Sequence, residues 1–201
     1  MARLGVFGGS FDPPHLGHLI LAEEALSALN LERVLWVLTP EPPHKSPRSL
    51  SSVSIRLEMV EQAIGGNPRF ILSRVDVDRP GPQYAVDTMK ILRSESPGQE
   101  WTLLMGEDSL RDLPTWSRPQ DLIRQCELGV MRRPGTLWDE KSLESQIPGI
   151  AQRMHFFMAP LVDISSSEIR QRRQLGRPIR YLVPPGVWDI IQQAGVYQPG
   201  L

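Results

Sequence analysis

The stretch that decides the fold reads Gly5-Val-Phe-Gly-Gly-Ser-Phe-Asp-Pro-Pro-His-Leu-Gly-His18. It begins inside a short apolar run, Arg3 to Phe7, which has the length of a buried strand, and it ends where apolar residues take up helical spacing. Gly8 and Gly9 stand between the two, at the turn from a first strand into a first helix. In open parallel sheets this turn is the usual phosphate cradle. Glycines suit it because the absence of a Cβ lets the backbone approach an anion closely.

The same alternation of strand and helix patterns continues along the chain. A helical pattern over Leu16 to Leu29 and an apolar run over Val34 to Leu38 complete a βαβ unit. Further helices are predicted at 55–64 and 84–93, and further strands at 70–77, 101–105 and 128–131. Because parallel strands need crossover connections, we predict a doubly wound, Rossmann-like α/β fold with a mostly parallel sheet and helices on both faces. Two polar, proline-containing stretches, 39–54 and 134–149, predict loops.

Composition limits the possible partners. The chain has 201 residues, 40% of them hydrophobic, and 22 basic against 23 acidic residues give a net charge of -1. No whole-chain field would therefore recruit nucleic acid or an anionic membrane. Cys126 is the single cysteine, which excludes an internal disulfide and a cysteine metal cage. No leader pattern and no apolar run near the ~20 residues of a membrane span is present, so we expect a cytoplasmic protein, with a homo-oligomer among the open alternatives.

Two histidines follow the glycine turn. His15 and His18 lie at i and i+3 around a helix start, where backbone N–H groups and the macrodipole favour anions, so both imidazoles can donate to one polyphosphate. The turn is neither G-x-G-x-x-G nor a P-loop. A zinc site would need a third ligand, and His44 and His155 form no recognisable ligand motif with the pair. In a purely structural alternative Asp12 caps the helix and the histidines are polar surface residues. We favour phosphate binding and predict no metal ligands.

A second informative stretch is Asp163-Ile-Ser-Ser-Ser-Glu-Ile-Arg170. Ser165 followed by Glu168 fits a capping box and predicts a helix from here to 175. A helix N-terminus lined by hydroxyls, with Arg170 one turn inside, is also a second anion site. The next two arginines, Arg172 and Arg173, are expected to be solvated charges.

These residues carry a family resemblance. The first stretch resembles the H-x-G-H signature of the nucleotidyltransferase superfamily, and the second resembles its I-S-S-T-x-I-R motif. Five other segments are similar to those of bacterial nicotinate mononucleotide adenylyltransferases: Pro43-His44-Lys45, Gly81-Pro-Gln-Tyr-Ala-Val-Asp-Thr88, Gly106-Glu-Asp108, Leu113-Pro-Thr-Trp116 and Tyr181-Leu-Val-Pro184. The resemblance covers nearly the whole chain. It implies one nucleotidyltransferase domain over 1–201, with a C-terminal helical portion from about 165 packed on it.

The resemblance implies a reaction between two phosphates. The 5′-phosphate of nicotinate mononucleotide attacks the α-phosphorus of ATP, giving nicotinate adenine dinucleotide and pyrophosphate in NAD biosynthesis. By resemblance His15, His18 and Arg170 are catalytic, and Mg²⁺ arrives with ATP without dedicated protein ligands. The implied ATP site comprises Gly8, Gly9, Ser10, Phe11, His15, His18, Ile164, Ser165, Ser166, Ser167 and Arg170.

The implied acceptor site comprises Ser10, Lys45, Thr88, Gly106, Asp108 and Trp116. Lys45 and Ser10 would orient the attacking phosphate, and Asp108 would accept from the ribose hydroxyls. Trp116 is either a core residue or a stacking partner for the cationic pyridinium, and we favour stacking. Thr88, near a predicted helix start, would help backbone amides receive the nicotinate carboxylate, because a helix N-terminus prefers an anion to a neutral amide.

Other functions stay open at this point. On the same chemistry, nicotinamide mononucleotide or phosphopantetheine are alternative acceptors, and the Trp116 region argues against the latter. A non-catalytic nucleotide-binding regulator is an alternative of another class. The presence of His15, His18 and Arg170 argues against it.

Overall fold

Strands alternate with helices up to β6, and two further helices follow it, in this computed structural model, which describes residues 1–41, 50–132 and 139–198. In chain order the elements are β1 (Arg3–Gly9), α1 (Leu16–Ala28), β2 (Arg33–Leu38), α2 (Val53–Ile64), β3 (Phe70–Ser73), α3 (Ala85–Glu95), β4 (Glu100–Gly106), α4 (Glu107–Asp112), α5 (Pro119–Leu122), β5 (Glu127–Arg132), α6 (Glu140–Gln146), β6 (Met154–Met158), α7 (Ser166–Gln174) and α8 (Pro185–Ala194). Short 3₁₀ turns occupy Leu113–Thr115 and Ala151–Arg153.

The strands form one six-stranded sheet in the order β3-β2-β1-β4-β5-β6. Every neighbouring pair runs parallel. The chain steps outward from β1 to β3, returns to the other side of β1 as β4, and steps outward again to β6. The strand order therefore reverses between β1 and β4. This arrangement confirms the predicted doubly wound α/β fold.

Side chains of the central strands alternate between two cores. In β1, Val6 packs with Met89 of α3 on one face, whereas Phe7 packs with Leu21 of α1 on the other. Helices α3, α5 and α6 contribute to the first core, and α1 and α2 contribute to the second. Alternation follows from the two-residue period of a strand, which sends successive side chains to opposite faces. Both faces of the sheet are thus covered by helices, as the parallel topology requires.

The C-terminal helices form a third cluster on the outer side of α2. Met59 of α2 packs there with Ile169 of α7 and with Val187 and Ile191 of α8, all fully buried. Helix α2 consequently has apolar contacts on two sides, the sheet on one and α7 and α8 on the other. This packing fixes the start of α7 relative to the carboxyl ends of the strands.

The two arginines expected to be solvated differ in the structure. Arg172 pairs with Glu168 at 2.8 Å, one turn earlier on the same partly exposed helix face. Arg173 instead lies over the Trp188 ring, 5.8 Å from its centroid, and donates to Gln192 at 3.2 Å. The Arg173 side chain therefore connects α7 to α8. The expectation that Arg173 is a solvated charge is wrong.

Several element boundaries also differ from the sequence expectations. The predicted loop 134–149 contains α6, whose N-cap Asp139 accepts from the Ser142 amide at 3.1 Å. This helix has a single buried residue, Leu143, so it shows no apolar period. The predicted strand 70–77 ends at Ser73, since the chain turns with the Asp78 amide donating to the Arg74 carbonyl. Strand β6 lies at the sheet edge and has no counterpart among the predicted strands.

Gly129 of β5 provides a test of the packing between sheet and helix. A Cβ added there would lie 2.7 Å from Leu104 Cδ2 and 2.7 Å from Leu29 Cδ1. Gly129→Ala should therefore lower the free energy of unfolding by roughly 1 to 3 kcal/mol, the usual cost of overpacking. Urea denaturation measures it. Gly66→Ala is the matched control, because an added Cβ there meets nothing within 4 Å, and an equal loss in both variants would contradict the packing.

Candidate active site

A cleft of about 550 Å³ opens at the carboxyl ends of the central strands. Gly8 and Gly9 at the end of β1, Gly106 at the end of β4 and Met131 of β5 all line it. β1 and β4 are the neighbours between which the strand order reverses. In open parallel sheets this switch point is where ligands bind. The cleft thus lies at the turn that the sequence assigns to phosphate binding.

The turn after β1 is shaped by its two glycines and by Phe11. A Cβ at Gly8 would meet nothing within 4 Å, so the missing side chain leaves open space in the cleft. A Cβ at Gly9 would lie 3.1 Å from the Phe11 ring. Phe11 has a positive φ of 46° and its ring is buried between Phe7 and Trp36. Phe11 therefore anchors the turn in the core, and its ring does not line the cleft.

The two histidines of the motif stack on each other. Their ring centroids lie 3.6 Å apart, and the His15 amide donates to His18 Nδ1 at 3.2 Å. Because Nδ1 accepts, a neutral His18 carries its proton on Nε2 and donates from there. Both rings line the cleft. The pair can present N–H groups to a polyphosphate from the start of α1.

His15 is the more buried of the two rings. It is only 6% exposed, and its Nδ1 has no hydrogen-bond partner among the described residues. Burial lowers the pKa of His15 from 6.5 to about 4, so the ring is neutral at pH 7. In the ligand-free protein His15 is therefore an N–H donor without a positive charge. Positive potential at this end of the cleft has to come from other groups.

In the structural alternative Asp12 was expected to cap α1, but in the structure it does not. His15 is the N-cap residue, and the Asp12 carboxylate is fully buried elsewhere. It accepts from the Ser51 amide at 3.3 Å and from the Tyr197 hydroxyl at 2.5 Å. Residues 10–15, which follow β1, are called the phosphate turn here, after the role that the sequence predicts for them. Asp12 thus joins the phosphate turn to the start of α2 and to the segment after α8.

Arg56 of α2 stabilises the same turn through hydrogen bonds to backbone carbonyls. Its side chain is 2% exposed, and Nε donates to the Ser51 carbonyl at 2.9 Å. Nη1 donates to the carbonyls of Ser10 and Thr39, and Nη2 donates to that of Pro40 at 2.7 Å. Burial lowers the pKa of Arg56, and the nearby Asp12 charge opposes that shift. The guanidinium holds together the chain segments that leave β1 and β2.

The second motif meets the first across the cleft. Ser165 caps α7 by accepting from the Glu168 amide at 3.1 Å, as the capping box predicts. Ser166 donates to the Pro13 carbonyl at 2.8 Å. Arg170 donates to the Asp12 carbonyl at 2.7 Å and to the Ser167 hydroxyl at 3.3 Å. The N-terminus of α7 therefore faces the same cleft as that of α1, and Arg170 stands behind the serine turn.

The other end of the cleft carries an indole and a carboxylate. Trp116 follows the 3₁₀ turn at Leu113–Thr115; it lines the cleft and also packs partly against the first core. Asp108 lies in the first turn of α4 and forms an exposed ion pair with Arg111 at 3.1 Å. Gly106 lies beside them at the end of β4. An apolar ring bearing a hydroxylated sugar fits this combination of groups.

Thr88 lines the cleft, but its own polar groups are occupied. Its amide donates to the Tyr84 carbonyl at 3.1 Å and its hydroxyl donates to Asp76 at 2.7 Å. Arg79 donates to both Asp76 and the Thr88 hydroxyl. The first-turn amides of α3 belong to Ala85 and Val86, which precede the first i→i−4 bond of the helix. A carboxylate at this helix start would therefore meet those amides, with Thr88 bracing the turn behind them.

The structure brings most of the sequence-assigned residues together. Those lining the one cleft are Gly8, Gly9, Ser10, His15, His18, Ile164, Ser165, Ser166, Ser167, Thr88, Gly106, Asp108 and Trp116. Phe11 and Arg170 do not line the cleft and lie behind residues that do. Lys45 and His44 fall in 42–49, outside the described residues. Sequence reasoning missed Arg56 and Tyr197. Nothing near either residue in the sequence indicates a contact with the phosphate turn.

The described ranges hold neither a cluster of metal ligands nor a helix suited to a bilayer. Across 1–41, 50–132 and 139–198 no group of three or more His, Cys, Asp or Glu is placed to hold a metal ion. His155, one of the histidines weighed for zinc, hydrogen bonds to Glu127 at 2.9 Å. Within the same ranges, none of the helices has the length and apolar character that crossing a membrane requires.

Comparison with known proteins agrees with this geometry. The cytidylyltransferase-like family model matches residues 6–172, so the chain belongs to this family of nucleotidyltransferases. Its relatives include proteins named probable nicotinate-nucleotide adenylyltransferase from two bacteria. The one from Thermomicrobium roseum is 46% identical over 98% of this chain and 92% of its own length. The one from Thermus thermophilus is 41% identical over 98% of this chain and 100% of its own.

A solved structure supports the fold independently. Nicotinic acid mononucleotide adenylyltransferase of Plasmodium falciparum, complexed with NaAD, matches 98% of both chains with a TM-score of 0.80. The sequence identity is 20%. At that identity the likeness concerns the fold, which is the same doubly wound sheet.

The buried His15 makes stability depend on pH. The unfolded chain titrates this imidazole at 6.5 and the folded chain at about 4, so between these values the unfolded state binds more protons. Stability from this group is full above pH 6.5 and is lost as the pH falls towards 4. Between pH 7 and pH 5 the loss should be about 2 kcal/mol.

Urea unfolding at the two pH values measures this loss. His15→Gln should show a smaller fall in unfolding free energy than the wild type, because the variant lacks the titrating group. His155→Gln, at an exposed position, controls for removing an imidazole as such. Equal falls in the wild type and His15→Gln would show that His15 is accessible to protons in the folded state.

Proposed function

We propose that the chain transfers the adenylyl group of ATP to nicotinate mononucleotide. An oxygen of the 5′-phosphate forms a bond to the α-phosphorus of ATP, and the bond from that phosphorus to the α,β-bridging oxygen breaks. The bridging oxygen leaves with the electron pair as part of pyrophosphate. The other product is nicotinate adenine dinucleotide, and no covalent intermediate on the protein is needed.

One observation carries the proposal: the cleft has two chemically different ends. The N-termini of α1 and α7, with the stacked histidines and the serine turn, supply N–H and O–H donors for phosphates at one end. Trp116, Asp108 and the start of α3 stand at the other. A single cleft can thus hold a polyphosphate beside a ring-bearing mononucleotide. The 37–46% identity to proteins named for this reaction supports the same assignment.

Catalysis in this cleft would consist of positioning and charge stabilisation. In-line displacement at phosphorus spreads negative charge over oxygens, and preorganised donors stabilise that charge. His18 would donate from Nε2 and Arg170 would supply the fixed positive charge, since His15 is neutral when free of ligand. Mg²⁺ enters as part of the ATP substrate and would neutralise the β- and γ-phosphates. The protein's own task is to hold both phosphates in line.

The start of α3 gives a physical reason for preferring nicotinate mononucleotide to nicotinamide mononucleotide. The Ala85 and Val86 amides stand at the positive end of an 11-residue helix, and Ala85 lines the cleft. A nicotinate carboxylate would accept from them, whereas a carboxamide would gain less from the same field. Arg79, which is partly exposed, forms an ion pair at 2.8 Å with the buried Asp76, and this pair keeps the turn in place. Cytoplasmic location and homo-oligomer formation stay predictions from the sequence.

Turnover on the two mononucleotides tests the function. Purified protein with ATP and Mg²⁺ should release pyrophosphate and form the dinucleotide, with a higher kcat/KM for nicotinate than for nicotinamide mononucleotide. His18→Ala should lower kcat by roughly a hundredfold, because it removes a donor to developing charge, with little change in mononucleotide KM. His155→Ala is the control. No pyrophosphate with either mononucleotide, or a preference for phosphopantetheine, would refute the proposal.

Trp116 makes a separate prediction about the acceptor end. Trp116→Ala should raise the KM for the mononucleotide by about tenfold through loss of stacking on the pyridinium. The KM for ATP, measured in the same assay, should change little. Trp116→Phe should recover part of the loss and keep the acid-over-amide preference, because a ring face does not distinguish the two groups. Unfolding of Trp116→Ala, seen by circular dichroism, would instead assign the indole to the core.

A further inference from the structure

Tyr197 reaches the phosphate turn from the far end of the described chain. It follows α8, and its hydroxyl donates to Asp12 Oδ1 at 2.5 Å across 185 positions of sequence. Its backbone has a positive φ of 62°. A non-glycine residue rarely adopts this conformation unless surrounding contacts hold it there. In this conformation of the segment after α8 the phenol points at Asp12.

The phenol is a permanent donor in this position. Burial, and then the charge of Asp12, raise the pKa of Tyr197 far above its usual value, so the hydroxyl keeps its proton at any physiological pH. Among the described residues, the Ser51 amide also donates to the Asp12 carboxylate, at 3.3 Å. A fully buried carboxylate depends on such donors, since an uncompensated buried charge is costly. Tyr197 contributes the shorter of these two hydrogen bonds.

The Asp12 backbone connects this pair to the reacting groups. Its carbonyl accepts from Arg170 Nη1 at 2.7 Å, and the next carbonyl, that of Pro13, accepts from Ser166. Arg170 also donates to Ser167, which lines the cleft. Two positions beyond Pro13, His15 begins the stacked pair. A displacement of Asp12 would therefore move the histidines and, through Arg170, the serine turn relative to the phosphates.

We propose that Tyr197 is a positioning residue for adenylyl transfer, holding Asp12 so that the His15–His18 pair, and the serine turn that Arg170 braces from behind, keep their places at the phosphates. This inference rests on the proposed function. Tyr197 itself does not line the cleft, so it touches neither substrate. Its loss should consequently affect the rate of the chemical step more than the binding of either nucleotide.

Tyr197→Phe tests the proposal because it removes only the hydroxyl and keeps the ring that packs beside α8. We expect kcat to fall by roughly tenfold, as small misplacements of catalytic groups do, with both KM values within about twofold of wild type. Tyr181→Phe is the matched control, since that phenol is 85% exposed. Combining Tyr197→Phe with Arg170→Lys should cost less than the product of the single effects, because both act through Asp12.

Hydrogen exchange gives a readout that does not depend on turnover. In Tyr197→Phe, peptides covering 10–15 and 50–52 should exchange faster than in wild type and in Tyr181→Phe. Wild-type kcat in Tyr197→Phe, or fully multiplicative effects with Arg170→Lys, would overturn the proposal, as would a lower melting temperature with unchanged kcat. If wild-type protein turns over neither mononucleotide, the proposed function fails, while unchanged exchange in Tyr197→Phe would separately refute the link to Asp12.

Discussion

The buried guanidinium of Arg56 is the constraint on which the cleft depends. It donates to four backbone carbonyls, those of Ser10, Thr39, Pro40 and Ser51. A buried charge is tolerated only when its donors are satisfied, and here the acceptors are the chain segments that leave two neighbouring strands. Satisfying Arg56 therefore requires those segments to converge. The floor of the phosphate turn and the entry to α2 are set by one side chain.

Local signals were sufficient to predict the central strands of the sheet and the turn that follows β1, but not the edge strand β6. The apolar runs of β1 and β2 and the capping box of α7 are properties of short segments and appear in the structure as predicted. The two glycines expected in the turn after β1 are instead its last two residues, paired with β2. Helix α6 was missed because its exposed, polar surface leaves no period to detect. The assignment of Thr88 depended on where α3 begins. Because α3 begins at Ala85, the Thr88 amide is already in a helical hydrogen bond, and the amides of Ala85 and Val86 lie before it.

The contacts of Asp12 could not be predicted from the sequence. Next to a helix start, an aspartate is a natural cap, and nothing in its neighbourhood argues otherwise. Its actual partners, Ser51 and Tyr197, lie 39 and 185 positions away. Such contacts follow from the packing of α8 against α2, which is a property of the whole fold. Arg56 was missed for the same reason, since its acceptors are backbone atoms with no signature in sequence.

The stacked histidines change the electrostatic picture of the site. Two imidazolium rings 3.6 Å apart would repel strongly, and burial already keeps His15 neutral. In the ligand-free protein the cleft therefore contains a neutral His15 ring, with the N-termini of α1 and α7 facing the cleft and the Arg170 guanidinium behind the serine turn.

The hydrogen bond between Asp12 and Tyr197 also sets an order of events during protein synthesis. The two residues are 185 positions apart, which corresponds to about 10 to 40 seconds of translation at ordinary rates. During that interval β1, α1 and β2 can emerge from the ribosome and begin to pair, while the Asp12 carboxylate still lacks its phenol donor. The phosphate turn is synthesised well before α8, and it acquires its final support only after α8 has left the ribosome.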